Sequence, residues 1–193
     1  YRNICCAQNL QLSRIRNINI LLFMPSGGEL VIIAKKKNVK VGAHPSYPDR
    51  ENFGRLELDM ESEELLSSIY SQVYSLLKIA EEENISVSHI KPHGALYNQA
   101  AKDAQVARVI GDAVDRIDPH LNIMCLSGSL MVRVLEDMGL KVVQEAFADR
   151  TYERNGSLRN RNLDHALITS PQKAADQARL IIERNKVIAF DGS

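Results

Sequence analysis

Short apolar runs recur along the chain, and three of them lead into clusters of polar and charged residues. Val39 to Ala43 runs into His44-Pro-Ser-Tyr-Pro-Asp-Arg50, Val87 to Ile90 into Lys91-Pro-His-Gly-Ala-Leu-Tyr-Asn98, and Val142 to Phe147 into Ala148-Asp-Arg150. Runs this short read as buried strands, and in parallel α/β sheets and barrels the loops at the carboxyl ends of strands gather the side chains that meet a ligand. The segments between them have helical spacing. From Ser62 to Glu83, the residues Leu65, Leu66, Ile69, Val73, Leu76, Leu77 and Ala80 recur at three- and four-residue steps, with Glu63 and Glu64 in the first turn. A second helix is expected from about Asp103 to Ile117, stopped by Asp118-Pro119.

Further elements follow from caps and breakers. Asn38 is a left-handed stop for a helix ending over Val31 to Lys37. Ser127-Gly-Ser129 opens a short helix closed by Gly139, after a strand Ile123 to Leu126. Asn17 to Met24 reads as a buried strand; at about eight residues it is far short of the ~20 that span a bilayer. Beyond Phe147, Tyr152 to Asp164 reads as a long loop, Ala166 to Thr169 as a strand, and Ser170-Pro171 as the start of a helix with Ala174, Ala178, Ile181 and Ile182 inward. Val187 to Phe190 is the last expected strand. Strands alternating with helices imply a parallel sheet in a single α/β domain over residues 1–193. The pattern leaves open whether the sheet closes into a barrel.

Charge narrows the function. Twenty-four basic and 24 acidic residues give a formal net charge of zero, so no footprint for nucleic acid is present and an anionic ligand must be held by local groups. Cys5, Cys6 and Cys125 fit neither a disulfide framework nor a zinc spacing, which suits reduced thiols in a cytoplasmic protein. No membrane segment is expected. The chain opens on Tyr1 and stops at Ser193 just after an apolar run, so both ends are expected to be cut.

The clusters supply the candidate chemistry. Pro45 and Pro48 stiffen the first loop, which suits a site holding His44, Asp49 and Arg50, although Asp and Arg in a rigid turn also pair with each other. Arg55 is a candidate for bidentate grip on a carboxylate or phosphate. His93, turned out by Pro92 beside Lys91, is a candidate general base, metal ligand or anion donor. Glu145 is an acidic residue in a buried strand, costly unless paired or catalytic. Asp149 and Arg150 follow it, and Arg161 is expected to fold back toward it. Its expected structural partners are Arg150 or Arg161. His89, His120 and His165 read as structural.

Gly42-Ala-His-Pro-Ser-Tyr-Pro-Asp-Arg50 with Phe53-Gly-Arg55, then Lys91-Pro-His-Gly-Ala-Leu-Tyr-Asn98, then Glu145-Ala-Phe-Ala-Asp-Arg-Thr-Tyr152 with Gly156, Leu158 and Arg161, resemble the LamB/YcsF family, described as the A subunit of 5-oxoprolinase. The likeness runs from about Val39 to Ser170. It implies a distorted (β/α) TIM-like barrel of the glycoside hydrolase and deacetylase type, here incomplete at both ends. It also implies ATP-dependent opening of the lactam of 5-oxo-L-proline to L-glutamate, with Mg²⁺ and partner subunits B and C. The catalytic candidates are then His93, Glu145 and Asp149. Those for substrate or phosphate are His44, Asp49, Arg50, Arg55, Lys91, Tyr97, Arg150 and Arg161, and His44 and His93 are the candidate metal ligands. The family's Asp-x-Asn-x-Asp-x-Gly-Glu strand and its His-Gly-Asp motif are absent, Asn3-Ile-Cys-Cys-Ala7 is at most a remnant of another motif, and Leu56 replaces a usual second arginine. Residues 1 to about 30 are expected not to align. No Walker-type loop is visible. Two other readings stand beside this one: a metal-dependent amide or acetyl hydrolase using His44, His93 and an Asp, and a non-catalytic module that binds the lactam.

Overall fold

The structure is a computed structural model that describes residues 4–6, 19–22 and 27–192, with side chains described from residue 29 onward. Its strands are β1 (Ile4–Cys6), β2 (Asn19–Leu22), β3 (Lys40–Ala43), β4 (Val87–Ile90), β5 (Asn122–Leu126) and β6 (Lys141–Glu145). Its helices are α1 (Gly27–Lys36), α2 (Ser62–Glu82), α3 (Gly94–Ala100), α4 (Ala104–Ile117), α5 (Leu130–Asp137) and α6 (Pro171–Arg184). Each strand pairs in parallel with the next, and the sheet order follows the chain order without reversal. Crossovers between parallel strands are right-handed, so a chain that always steps the same way lays its helices on one face of the sheet. A doubly wound sheet reverses direction and covers both faces. The unreversed order is that of a (β/α) TIM-like barrel wall, the expected fold.

Alternation along the strands divides two environments. Val41, Ala43, Ile90, Ile123 and Cys125 join Leu65, Ile69, Val73, Ile110 and Val114 of the helices in one buried core. Gly42, His89 and Asn122 are in register on the opposite face, with Met124 two residues further along. His89 fills the space above Gly42: a Cβ at residue 42 would lie 2.2 Å from the ring's Nε2. The structural role expected of His89 fits this packing.

Caps and stops act where the sequence places them. Asn38 has φ 52° and ends α1. Asp103 accepts hydrogen bonds from the amides of Gln105 and Val106 at the start of α4, and the Ser170 hydroxyl accepts from Lys173 N at the start of α6. Several expectations fail. Ala166 to Thr169 and Val187 to Phe190 are not strands; each contributes one isolated bridge, Leu167 to Arg150 and Ala189 to Tyr152. Their backbones pair with the loop that follows β6, as in Ile168 N to Asp149 O at 2.9 Å and Phe190 N to Tyr152 O at 2.9 Å. A four-residue apolar run has too little periodicity to reveal this. The inward face of α6 is also different: Gln177 is its buried residue, while Ile182 is 63% exposed. Finally, β6 ends at Glu145, and the unforeseen α3 begins directly after His93.

Candidate functional site

The loops after β3 and β4 interlock at the carboxyl edge of the sheet. Gly94 takes φ +59°, and a Cβ there would sit 2.3 Å from the Gly54 carbonyl oxygen, so the two backbones touch where no side chain fits. The Ala95 amide donates to that same Gly54 oxygen at 3.0 Å, and the His93 amide donates to Pro45 O at 2.8 Å. Gln72 of α2 clamps the first loop from behind, accepting from Ser46 N at 3.0 Å and donating to Ser46 O at 2.9 Å.

Inside this frame the two histidines meet. His44 Nε2 lies 2.8 Å from His93 Nδ1, His44 Nδ1 lies 2.6 Å from the Lys91 carbonyl oxygen, and His93 Nε2 lies 3.1 Å from the Phe53 carbonyl oxygen. His44 is buried, and burial first, then the adjacent His93, lowers its pKa to about 3. Burial likewise lowers His93 to about 4; its bond to Phe53 opposes this, while the positive charges of Arg55, Arg161 and Lys91 reinforce it. Both rings are therefore neutral at neutral pH.

Beside the histidines, Lys91 Nζ donates to Glu145 Oε2 at 2.8 Å, with side chains only 13% and 12% exposed. The strand before Glu145 is not the buried one expected, since the residues of β6 are exposed or half-buried, but the carboxylate itself is shielded and paired with Lys91 rather than with the expected Arg150 or Arg161. The ammonium also lies 4.9 Å from the Phe147 ring centroid and 5.7 Å from that of Tyr97, within cation–π range. Tyr97, Leu126 and Tyr152 form a small second apolar cluster here, with Phe147 packed against it. Tyr97 Oη and Glu145 Oε1 are both buried and lack a well-formed hydrogen bond. Burial, then the neighbouring Glu145 carboxylate, raises the Tyr97 pKa well above its ordinary value.

His44, Lys91, His93, Tyr97 and Glu145 are thus brought together, and the exposed Arg55 and Arg161 lie close enough to His93 to act on its charge. The other expected site residues have no described hydrogen bond to this cluster, although Arg150 lies close enough to Tyr97 and Arg161 for their charges to act on it. Asp49 braces its own turn, accepting from Asn52 N and Nδ2, and Arg50 next to it is exposed. Asp149 is exposed in the loop after β6. Arg150 is buried with its guanidinium donating to the carbonyls of Ala166 and Arg159, so it ties that loop together rather than facing a ligand. Among the described residues, no group of three or more His, Cys, Asp or Glu side chains could hold a metal ion. His44 and His93 bond to each other, not to a common third position.

The sequence reading missed two kinds of residue. Phe53 and Phe147 flank the polar groups: Phe53 meets the His93 ring edge-on at 5.3 Å, with Arg55 5.5 Å from its centroid. Gln177 reaches from α6 to donate to the carbonyls of Phe147, Ala148 and Arg150. A signal existed for Gln177, since an amide on the same helical face as Ala174, Ala178 and Ile181 is out of place unless it has buried acceptors. Among the described residues, no helix is long and apolar enough to cross a membrane.

Comparison with known proteins agrees with this arrangement. Residues 28–193 match the model of the LamB/YcsF family, a wider span than Val39 to Ser170. The 5-oxoprolinase A subunit from Haemophilus influenzae (strain PittEE) is 42% identical over 187 residues, covering 94% of this chain and 76% of the relative. Its counterpart from Histophilus somni (strain 129Pt) is 36% identical over 193 residues, covering 97% and 78%. With 94% and 97% covered, part of the stretch before residue 30 does align, contrary to expectation. The crystal structure of a lactam utilization protein from Thermus thermophilus superposes with a TM-score of 0.82 at 37% identity, covering 92% of this chain and 74% of that one.

Proposed function

The chain belongs to the LamB/YcsF family, and from that premise we propose that it is the A subunit of an ATP-dependent 5-oxoprolinase, opening the lactam of 5-oxo-L-proline to L-glutamate together with subunits B and C. The observation that carries this reading is the buried Lys91–Glu145 pair beside two neutral histidines, under a rim with Arg55 and Arg161.

A lactam resists hydrolysis because amide resonance makes its carbonyl a poor electrophile. ATP would supply a phosphoryl group that turns the amide oxygen into a leaving group. On this chain Arg55, Arg161 and Lys91 are the cations suited to phosphate oxygens and to the substrate's carboxylate. Mg²⁺ bound through phosphates needs only one or two carboxylates, and the exposed Asp149 is the candidate for that contact. Glu145 holds Lys91 in place. His93, neutral in this environment, is the group suited to take a proton from water; Glu145 and Asp149 are the acidic alternatives. Cytoplasmic location fits an enzyme that consumes ATP.

Reconstitution tests the proposal. The isolated chain should release negligible glutamate from 5-oxoproline, and activity should appear when subunits B and C are added with ATP. Full ATP-coupled cleavage by the isolated chain would overturn the shared division of labour. In the reconstituted enzyme Glu145→Gln should lose ~10²–10⁴-fold in rate with its fold retained. An active but markedly destabilised variant would mean that Glu145 is a structural strut only.

A further inference from the structure

The Glu145 carboxylate is held firmly at one oxygen only. Oε2 accepts from Lys91 Nζ at 2.8 Å, while Oε1 is buried without a well-formed hydrogen bond. A carboxylate held at one oxygen still turns about its Cγ–Cδ bond, and that turn would swing the ammonium paired with it. A buried anionic oxygen is also costly to leave without a donor. The groups that face Glu145 limit what the donor is. Its charge acts on Tyr97, Cys125 and Tyr152, whose pKa values are all raised, burial being the first cause in each, so all three carry their protons at neutral pH. The Cys125 thiol donates to Ile123 O at 3.7 Å. The Tyr152 hydroxyl accepts from Phe147 N at 2.7 Å and donates to Phe147 O at 3.4 Å. Tyr97 has no such commitment among the described residues. Its Oη is buried without a well-formed bond, yet it lies close enough to Glu145 for hydrogen bonding to bear on its proton.

A donor and an acceptor orphaned side by side complete each other. We propose that Tyr97 is a positioning residue: its hydroxyl donates to Glu145 Oε1, pins the plane of the carboxylate, and through it fixes the Lys91 ammonium. The placement of Tyr97 suits this role. It lies on α3, whose start is tied to the first loop by His93 N to Pro45 O at 2.8 Å and by Ala95 N to Gly54 O at 3.0 Å. Its ring is 5% exposed, meets Phe147 edge-on at 6.2 Å, and has its centroid 5.7 Å from Lys91 Nζ. A ring packed on these sides holds its hydroxyl in one place. Glu145, by contrast, ends a strand whose residues are exposed or half-buried. The phenol thus ties the carboxylate of a loosely covered strand to the rigid frame of the other two loops.

This assignment replaces the direct contact with substrate or phosphate expected of Tyr97. A buried hydroxyl beside a carboxylate acts through the group it holds. Its bearing on catalysis rests on the proposed function, in which Lys91 meets phosphate or carboxylate oxygens and Glu145 keeps it aimed. The hydrogen bond itself does not depend on that reading.

Tyr97→Phe removes one oxygen and keeps the ring, so it separates the bond from the packing. In the chain labelled with ¹³C-glutamate, the Glu145 carboxyl resonance is identified by its loss in Glu145→Gln. That resonance should move in Tyr97→Phe, and the Lys91 ammonium protons should exchange faster with solvent. An unmoved resonance overturns the hydrogen bond whatever reaction the chain performs, and unchanged exchange overturns the hold on Lys91. In the enzyme reconstituted with subunits B and C and ATP, Tyr97→Phe should lower kcat by up to ~10²-fold, with KM for 5-oxoproline nearly unchanged. A raised KM at unchanged kcat overturns the positioning role and makes Oη a substrate contact. Adding Tyr97→Phe to Glu145→Gln should cost little further rate, since both act through one carboxylate; fully additive losses overturn that route. A lower melting temperature with resonance, exchange and turnover unchanged reduces Tyr97 to packing and overturns the inference. If the reconstituted wild-type enzyme opens no lactam, the proposed function fails, and the resonance and the exchange rate still decide whether Tyr97 holds Glu145 and Lys91.

Discussion

The two sides of the site are held by different means. On one side, the loops after β3 and β4 meet backbone to backbone, through Gly54 and Gly94, and enclose a closely bonded pair of histidines. On the other, the loop after β6 is long and partly exposed, and it is shaped by side chains donating to carbonyls: Arg150 to Ala166 and Arg159, Gln177 to Phe147, Ala148 and Arg150. A backbone contact tolerates no added atom but needs no particular side chain. A side-chain clamp tolerates change around it yet fails when its one donor is lost. The difference places rigidity at the histidines and adaptability at the Phe147 to Arg161 rim.

Substitutions of glycine should separate the sides most sharply. Gly94→Ala must push against Gly54 O in a left-handed conformation, adding about 1–3 kcal/mol of overpacking to about 1–3 kcal/mol of backbone strain. Gly156→Ala, at φ +81° but with nothing within 4 Å, should cost the backbone strain alone. Denaturant titration of both variants measures the gap, and equal losses would erase the proposed difference. Next in size is Gln177→Leu, which removes the donor from three carbonyls and should cost about 1–3 kcal/mol. The loss should appear as faster amide exchange across residues 147–168, with exchange in β3 and β4 unchanged. Uniform acceleration would show that the clamp supports the whole barrel wall.

The smallest effect is in pH. Folded-state values near 3 for His44 and 4 for His93 lie below the unfolded value near 6.5, so the unfolded chain binds more protons between those limits. Stability from this source is fully present above pH 6.5 and is lost as pH falls toward 4. His44→Gln should flatten that fall in melting temperature measured from pH 7 to 4. An unchanged slope would mean that His44 contributes none of it.

The first two polar clusters and the strands before them are readable in the sequence because a buried strand ending in a loop of charged residues breaks its hydrophobic pattern abruptly; β6 is found by the same apolar run although it is exposed to half-buried, not buried. The long helices are readable too, since their apolar spacing runs for several turns. The partnership of residues distant in sequence is not readable: nothing near Lys91 announces Glu145 as its partner, and nothing near Arg150 says that carbonyls, not a ligand, receive its guanidinium. The runs at Ala166 and Val187 mislead for a related reason. Four apolar residues cannot reveal whether their backbone pairs with the sheet or with a neighbouring loop.

The contact of His89 with Gly42 also constrains how such a sequence can change over generations. A methyl group at position 42 would meet the present imidazole at 2.2 Å, so the ring at position 89 must move or shrink to admit it. The two positions are therefore sterically coupled. A lineage that first shrinks His89 passes through an intermediate with a void, whereas one that first enlarges Gly42 passes through a displaced ring in the wall of the barrel.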